Sequence, residues 1–208
     1  MTGYRRITEK IAGKLDTLEA YLFYCLALKS NYETMESHIK QETLTAFYGI
    51  KKVDQIGEWL KKFEELGLIK IWTTTIRGKK GKFDRNSYKL HDEHFVLISN
   101  TLYNQPISRK LKGFLVLLKC KCLNGTNTCK YSQNELAEEL GISSSTVSRR
   151  IKEGIEAGYI KRDEKGIHLL HKDIFIITKE TQLAQVKNYY PEILTDEDIR
   201  DGYIHSCV

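Results

Sequence analysis

The sequence predicts a mainly α-helical α+β chain with small β hairpins, built as two similar units in tandem followed by a short tail. Three observations carry this. Apolar residues recur at three- and four-residue spacing over helix-length stretches. The stretch from Tyr131 to Arg162 and one about 91 residues earlier share a turn glycine, an apolar helical face and a return into a β-rich segment. Each is followed by a hairpin with glycine at its turn.

Taken in order, YRRITEKI opens the chain as a strand-like phrase, and residues 15–30 read as an amphipathic helix with Leu15, Leu18, Leu22 and Cys25 on one face. After the polar break SNYETMES, the segment ETLTAFYGIKKVDQIGEWLKKFEELGLIK carries two short helices around Gly49. It can be laid on the later segment, Leu44 on Leu136, Gly49 on Gly141, Ile50 on Ile142, and then, with one extra residue in the turn, Ile56 on Val147, Leu60 on Ile151, Gly67 on Gly158 and Ile69 on Ile160. A long hairpin follows: strand IKIWTTTI, loop RGKKGKFDRN and strand SYKL. The phrase LHDEHFVLIS from Leu90 is echoed by LHKDIFIITK from Leu170, so that His91 matches His171, Phe95 matches Phe175 and His94 matches Ile174. Both copies read as a strand leaving a hairpin. The pair His91 and His94 is therefore a poor metal candidate, since one partner is replaced by isoleucine in the sister phrase. A second helix, SRKLKGFLVLLKCKCL, packs by Leu111, Leu115, Leu118 and Cys122. The expected boundaries are 1–92 for the first unit, 93–178 for the second and 179–208 for an acidic helical tail in which Thr195 can cap TDEDIRDGY.

At 208 residues the chain accommodates two units of about 80 to 100 residues, each with its own core. No apolar run approaches the roughly 20 residues of a membrane span. The N-terminus MTGYRRITEK lacks the apolar stretch of a signal peptide, which points to the cytoplasm, beside the nucleoid. Five cysteines, an odd number, are then expected to be reduced, and Cys120 and Cys122, two apart on a helix, cannot readily share a metal. The net charge is +6, but residues 171–208 carry four Lys or Arg against seven Asp or Glu, leaving +9 on residues 1–170. A basic body suits a polyanionic partner. Neither GxxxxGK[ST], GxSxG nor HExxH occurs, so the sequence gives no catalytic residue, metal ligand or cofactor, and no small-molecule substrate is evident; the chain is expected not to be an enzyme.

Within Tyr131–Arg162, Ser132 and Glu135 fit a capping box, Leu136, Ala137 and Leu140 share a face, and Gly141 supplies the turn. Ser143 caps the next helix, whose buried face is Val147, Ile151 and Ile155. This is a helix-turn-helix, and LAEELGISSSTVSRRIKEGIEAGYIKR resembles the winged helix-turn-helix of bacterial transcription regulators of the cyclic-AMP-receptor and GntR-like types. The resemblance, over about thirty residues, implies a winged helix-turn-helix that binds double-stranded DNA, with the second helix of the motif in the major groove and the hairpin, or wing, on the backbone or minor groove; the internal repeat extends this to two tandem winged helix-turn-helix domains. Carried over by position, Ser143 and Thr146 contact phosphates and Ser144, Ser145 and Arg149 face base edges; Ser148 and Lys152 are displaced from the buried face of the helix and free to meet a partner. Relatives often place a long charged residue where this chain has Ser144 and Ser145.

The first unit differs there, with Asp54 and Glu58 at the positions of Ser145 and Arg149, partly offset by Lys51, Lys52 and Gln55. Its hairpin compensates: Ile69–Leu90 holds seven Lys or Arg against one Asp, including Arg77, Lys79, Lys80, Lys82 and Arg85. The second hairpin offers Lys161, Arg162 and Lys165. The sequence thus predicts a first unit that grips backbone and a second that reads bases, in a transcription regulator able to form a homodimer. Two alternatives stay open: a replication initiator of a plasmid, phage or other mobile element, which the tandem layout loosely resembles, and a winged-helix protein-interaction adaptor.

Overall fold

The structure, a computed structural model, describes residues 3–78, 81–91, 93–123 and 126–177. The expected tail at 179–208, and Lys79 and Lys80 of the first hairpin, lie outside the described residues.

The elements run β1 (Tyr4–Thr8), a 3-10 turn (Glu9–Ile11), α1 (Thr17–Leu28), β2 (Glu36–Ser37), α2 (Gln41–Tyr48), α3 (Val53–Glu65), β3 (Ile69–Gly78) and β4 (Gly81–Leu90). The same order then recurs as β5 (Phe95–Ser99), α4 (Thr101–Asn104), α5 (Arg109–Cys120), β6 (Thr128–Cys129), α6 (Gln133–Leu140), α7 (Ser144–Glu156), β7 (Ile160–Asp163) and β8 (Gly166–Leu169), closed by β9 (Phe175–Ile176). Among the described residues the strands form three three-stranded antiparallel sheets, β1-β5-β9, β2-β4-β3 and β6-β8-β7. Strand is therefore more than a pair of small wings. β3 and β4 run ten residues each because the β-branched stretch Thr73–Ile76 favours extension. Cross-strand hydrogen bonds reinforce it, Thr73 to Asn86 at 3.0 Å and Thr75 to Asp84 at 2.7 Å.

Sequence chemistry sets the helix starts. Asp16 accepts from the amides of Leu18 and Glu19 while the Glu19 carboxylate accepts from the Asp16 amide, a closed capping box, and Ser132 with Glu135 makes the same arrangement at α6. Glu19 is almost wholly buried. Its charge is met by Lys62 of α3 at 2.6 Å, which ties α1 to the first helix pair. α2 and α6 both end on left-handed glycines, Gly49 at φ 89° and Gly141 at φ 62°, where a side chain would be strained.

The buried residues of both halves make one contiguous hydrophobic cluster instead of two separate cores. Its centre is the contact of α1 with α5. A Cβ on Gly113 would lie 1.6 Å from the Thr17 carbonyl, so only glycine lets the two helices approach this closely. α1 is buried along nearly its whole length, from Glu19 to Ala27, which replaces the expected amphipathic stripe: α5 covers one side, and on another Tyr24 donates to the Ser99 carbonyl of β5 at 2.7 Å. Lys119 holds the second half together from inside, donating to Thr126 O at 2.9 Å and Asn127 Oδ1 at 2.6 Å. Asn127 in turn donates to Phe175 O of β9. Burial lowers the Lys119 pKa, opposed by the neighbouring cysteines and Glu9.

The opening strand-like phrase and the two echoed phrases come together as the sheet β1-β5-β9, yet the two echoes do not align as the sequence suggests. Leu90 donates to Met35 O and Leu169 to Asn127 O, while His91 donates to Leu68 O and Leu170 to Tyr159 O. Leu90 thus corresponds to Leu169, and His91 to Leu170 instead of His171. Phe95 is 39% exposed whereas Phe175 is fully buried, so that match fails as well. β4 ends on the first residue of its phrase, Leu90, whereas β8 ends one residue before its phrase, at Leu169, and in a strand a shift of one residue reverses the face.

Candidate nucleic-acid interface

α6, Gly141 and α7 form a helix pair followed by the hairpin β7–β8. Leu136, Leu140, Val147 and Ile151 are buried between the two helices and the core. The expected third member of the α7 face is wrong. Ile155 is 45% exposed, and Gly154 occupies the buried position because a Cβ there would meet Ile160 Cδ1 at 2.5 Å. Arg150, which sequence reasoning passed over, is also buried. It pairs with Glu153, which accepts from Ser108 Oγ at 2.7 Å and so links α7 to the start of α5. The signal available was the Arg–Glu spacing of three on a helix.

The outward stripe of α7 is Ser145, Ser148, Arg149 and Lys152, all exposed and at helical spacing. At its start the hydroxyls are engaged with one another. Ser143 accepts from the Thr146 amide at 3.3 Å and donates to Thr146 Oγ1 at 2.8 Å, its hydroxyl lies 3.1 Å from that of Ser145, and Ser144 donates to Asn134 Oδ1 at 2.8 Å. These bonds shape the helix N-terminus, and a phosphate there would share or replace them. Arg149, one turn later, lines a cleft of about 370 Å³ with Asp16, Leu18, Lys110 and Thr146. Lys152 stands 4.0 Å from Glu156, an exposed pair that salt readily screens.

The hairpin β7–β8 exposes Lys161, Arg162 and Lys165. Asp163 organises it, accepting from the Lys165 amide at 2.9 Å and lying 2.7 Å from His168 Nε2 and 3.2 Å from Lys161 Nζ. The His168 hydrogen bond, with Lys161 and the Lys165 amide, holds the Asp163 carboxyl down at about 2. Part of the positive charge of this hairpin is therefore answered locally.

The earlier helix pair has the same inner construction and a different exterior. Leu44, Ile56, Leu60 and Phe63 are buried, while Asp54, Glu58 and Lys61 make the exposed stripe of α3. Lys51 and Lys52 are exposed at its start, and Gln55 is half-buried. In the hairpin β3–β4, Arg77 faces Lys82 across the ladder next to the glycine pair Gly78 and Gly81, and both cations are exposed. Arg85 is only half-exposed and lines a cleft with Gln41, Asn86 and Tyr88, so it is less available than Arg77 and Lys82.

Cys25, Cys120, Cys122 and Cys129 are buried thiols, and burial pushes Cys25 and Cys122 up to about 12, well away from thiolate chemistry. Among the described residues no group of three or more His, Cys, Asp or Glu gathers as a metal site. His91 instead meets Lys10 and Glu93 at the junction between the halves. Among the described residues no helix is long and apolar enough to cross a membrane.

The winged helix-turn-helix DNA-binding family model matches residues 127–161, from β6 through α6 and α7 into β7. No curated protein matches the chain. The family match and the exposed α7 stripe together support DNA binding through a winged helix-turn-helix in this segment.

Proposed function

We propose that the chain is a sequence-specific double-stranded DNA-binding protein in which two winged helices act in tandem, α2–α3–β3–β4 and α6–α7–β7–β8, and that it serves as a transcription regulator. The observation that carries the reading is the α7 stripe. Ser145, Ser148, Arg149 and Lys152 are exposed on one side of a helix whose other side is fixed in the core. A long, bidentate donor set in the middle of small hydroxyls suits the base edges of a major groove, where Arg pairs with guanine O6 and N7. Arg77 and Lys82 at the end of the long hairpin, together with Lys161, Arg162 and Lys165 of the short one, suit phosphates, which fix position without reading sequence. The domain limits 1–92 and 93–178 belong to this proposal; the two halves join through one core and function as one body.

A second reading, replication initiation at the origin of a mobile element, is favoured by the single shared core, which holds two helix pairs in fixed relation as recognition of one extended site requires. Genes adjoining the chain's own separate the two roles.

The test is selection of bound duplexes from a random-sequence pool by the purified chain at moderate salt. A recovered motif whose affinity falls steeply with salt supports the reading, because phosphate neutralisation releases counterions. Recovery of no motif, with retention of proteins instead, would move the assignment to an interaction adaptor.

A further inference from the structure

β1 and β5 pair antiparallel, with Tyr4 opposite Ser99, Arg6 opposite Leu97 and Thr8 opposite Phe95. α3 and α7 begin 91 positions apart, at Val53 and Ser144, and β1 and β5 begin 91 apart, at Tyr4 and Phe95. In that correspondence Leu97 is the counterpart of Arg6, Ser99 of Thr8 and Phe95 of Tyr4. Each residue of the ladder therefore faces the counterpart of the residue that its own counterpart faces, and the central pair faces itself. An antiparallel pairing of this kind has a twofold axis through its centre, as an isologous dimer contact does.

A second set of contacts follows the exchange at the level of elements: in each half, the segment after the first strand meets the end of the first helix and the turn in the opposite helix pair. Phe47 and Glu139 are the seventh residues of α2 and α6. The Phe47 carbonyl accepts from Tyr103 of α4 at 2.9 Å, while the Glu139 carbonyl lies 3.0 Å from where a Cβ on Gly13 would stand, just after the 3-10 turn that is α4's counterpart. Arg109, at the start of α5, donates to Gly49 O at 2.9 Å. Gly13 O, just before α1, lies 3.3 Å from where a Cβ on Gly141 would stand. Each helix pair is thus braced at its turn by the opposite half.

We infer that a single copy of this chain occupies one duplex site made of two unequal halves in inverted orientation. The inference rests on the reading of the chain as a duplex-binding protein. B-form DNA has local dyads perpendicular to its axis, so two helix pairs related by a twofold meet strands of opposite polarity. The halves are unequal because α7 presents Ser148 and Arg149 where α3 presents Gly57 and Glu58. One half-site is read through bases by α7, and the other is held through its backbone by the hairpin β3–β4. The surface that a homodimer would use to create the dyad is already filled within the chain by β1 against β5 and α1 against α5. A second copy is not needed.

The test is directed cleavage on the selected duplex. An iron chelate that releases hydroxyl radicals is tethered to a single cysteine placed at the exposed counterpart positions Thr73→Cys or Glu164→Cys, in a Cys207→Ser background; the cysteines of the described residues are buried. The twofold predicts that the cuts from the two probes lie on opposite sides of the site's centre and that one pattern maps on the other by a 180° rotation of the duplex. It also predicts one chain per duplex by native mass spectrometry. Randomising the bases of the hairpin half-site, with its length kept, should change affinity by less than about twofold, whereas deleting that half should weaken binding by about tenfold or more. Cuts of the same strand polarity, or two chains per site, would overturn the inference and leave duplex binding intact. Failure to select any duplex would remove the DNA reading and this inference with it. Hydroxyl-radical footprints of the unaltered chain supply the same centre and spacing without a tether.

Discussion

α3 and α7 are each thirteen residues long, each follows a helix ended by a left-handed glycine, and each leads into a hairpin, yet their outward stripes are opposite in character. α3 shows Asp54 and Glu58, and α7 shows Ser145 and Arg149. The hairpins invert the contrast: the one after α3 is long, with Arg77 and Lys82 exposed beside its turn, and the one after α7 is short, with Asp163 answering Lys161. The difference teaches that inner positions keep a helix pair folded while outer positions decide what it meets. Acidic groups on α3 disfavour entry into a groove, so in the proposed reading the first half contributes affinity through its hairpin.

The comparison presupposes that both pairs are held by one core, and breaking that core has the largest expected effect. Gly113→Ala puts a methyl group against the Thr17 carbonyl and should destabilise the whole chain by about 3 kcal/mol, a melting-temperature drop of roughly 10 °C in one transition. Separate transitions for the two halves would show that they are independent. A smaller effect sharpens the contrast between helices. Asp54→Ser with Glu58→Arg gives α3 the side chains of α7, and binding to any duplex should tighten by roughly tenfold at low salt, read by fluorescence anisotropy. The hairpin is tested by Arg77→Ala with Lys82→Ala, which should lower the slope of log affinity against log salt by about 2 for all sequences alike.

The smallest effect concerns the short hairpin. The Asp163 carboxyl titrates at about 2 in the fold against an ordinary value of 3.8, so its contacts stabilise β7–β8 above about pH 4 and lapse as the pH falls toward 2. Asp163→Asn should remove that acid-side dependence in a circular-dichroism titration and lower the neutral-pH melt slightly, since the contribution it deletes is present there and is screened by solvent.

Much of the second helix pair was legible because its signals are local. The capping box at Ser132 and Glu135, the cap at Ser143 and the turn at Gly141 each follow from two or three adjacent residues. What was not legible depends on partners distant in the chain. Gly154 displaces Ile155 from the buried face because Ile160 packs over it, and Arg150 is buried because Glu153 reaches Ser108. α1 looked amphipathic from its own spacing, but α5 covers the side that spacing left open. The phrase repeated after each hairpin was visible, yet its register was not, since loop length sets which residue of a strand faces the core. At the interface, exposure was foreseeable for Arg149 and Lys152. The engagement of Ser143, Ser144 and Ser145 with neighbouring hydroxyls and Asn134 was not, because Asn134 approaches only once the two helices are folded together.

The central claim, that α7 reads sequence while the first hairpin supplies grip, is tested most directly by one ratio: affinity for the selected duplex over affinity for a scrambled duplex of equal length, at fixed salt. Arg149→Ala should lower the ratio by about tenfold with little change on the scrambled duplex. Arg77→Ala with Lys82→Ala should weaken both duplexes alike and leave the ratio unchanged. A ratio that survives loss of Arg149 but falls with the hairpin cations would contradict the account.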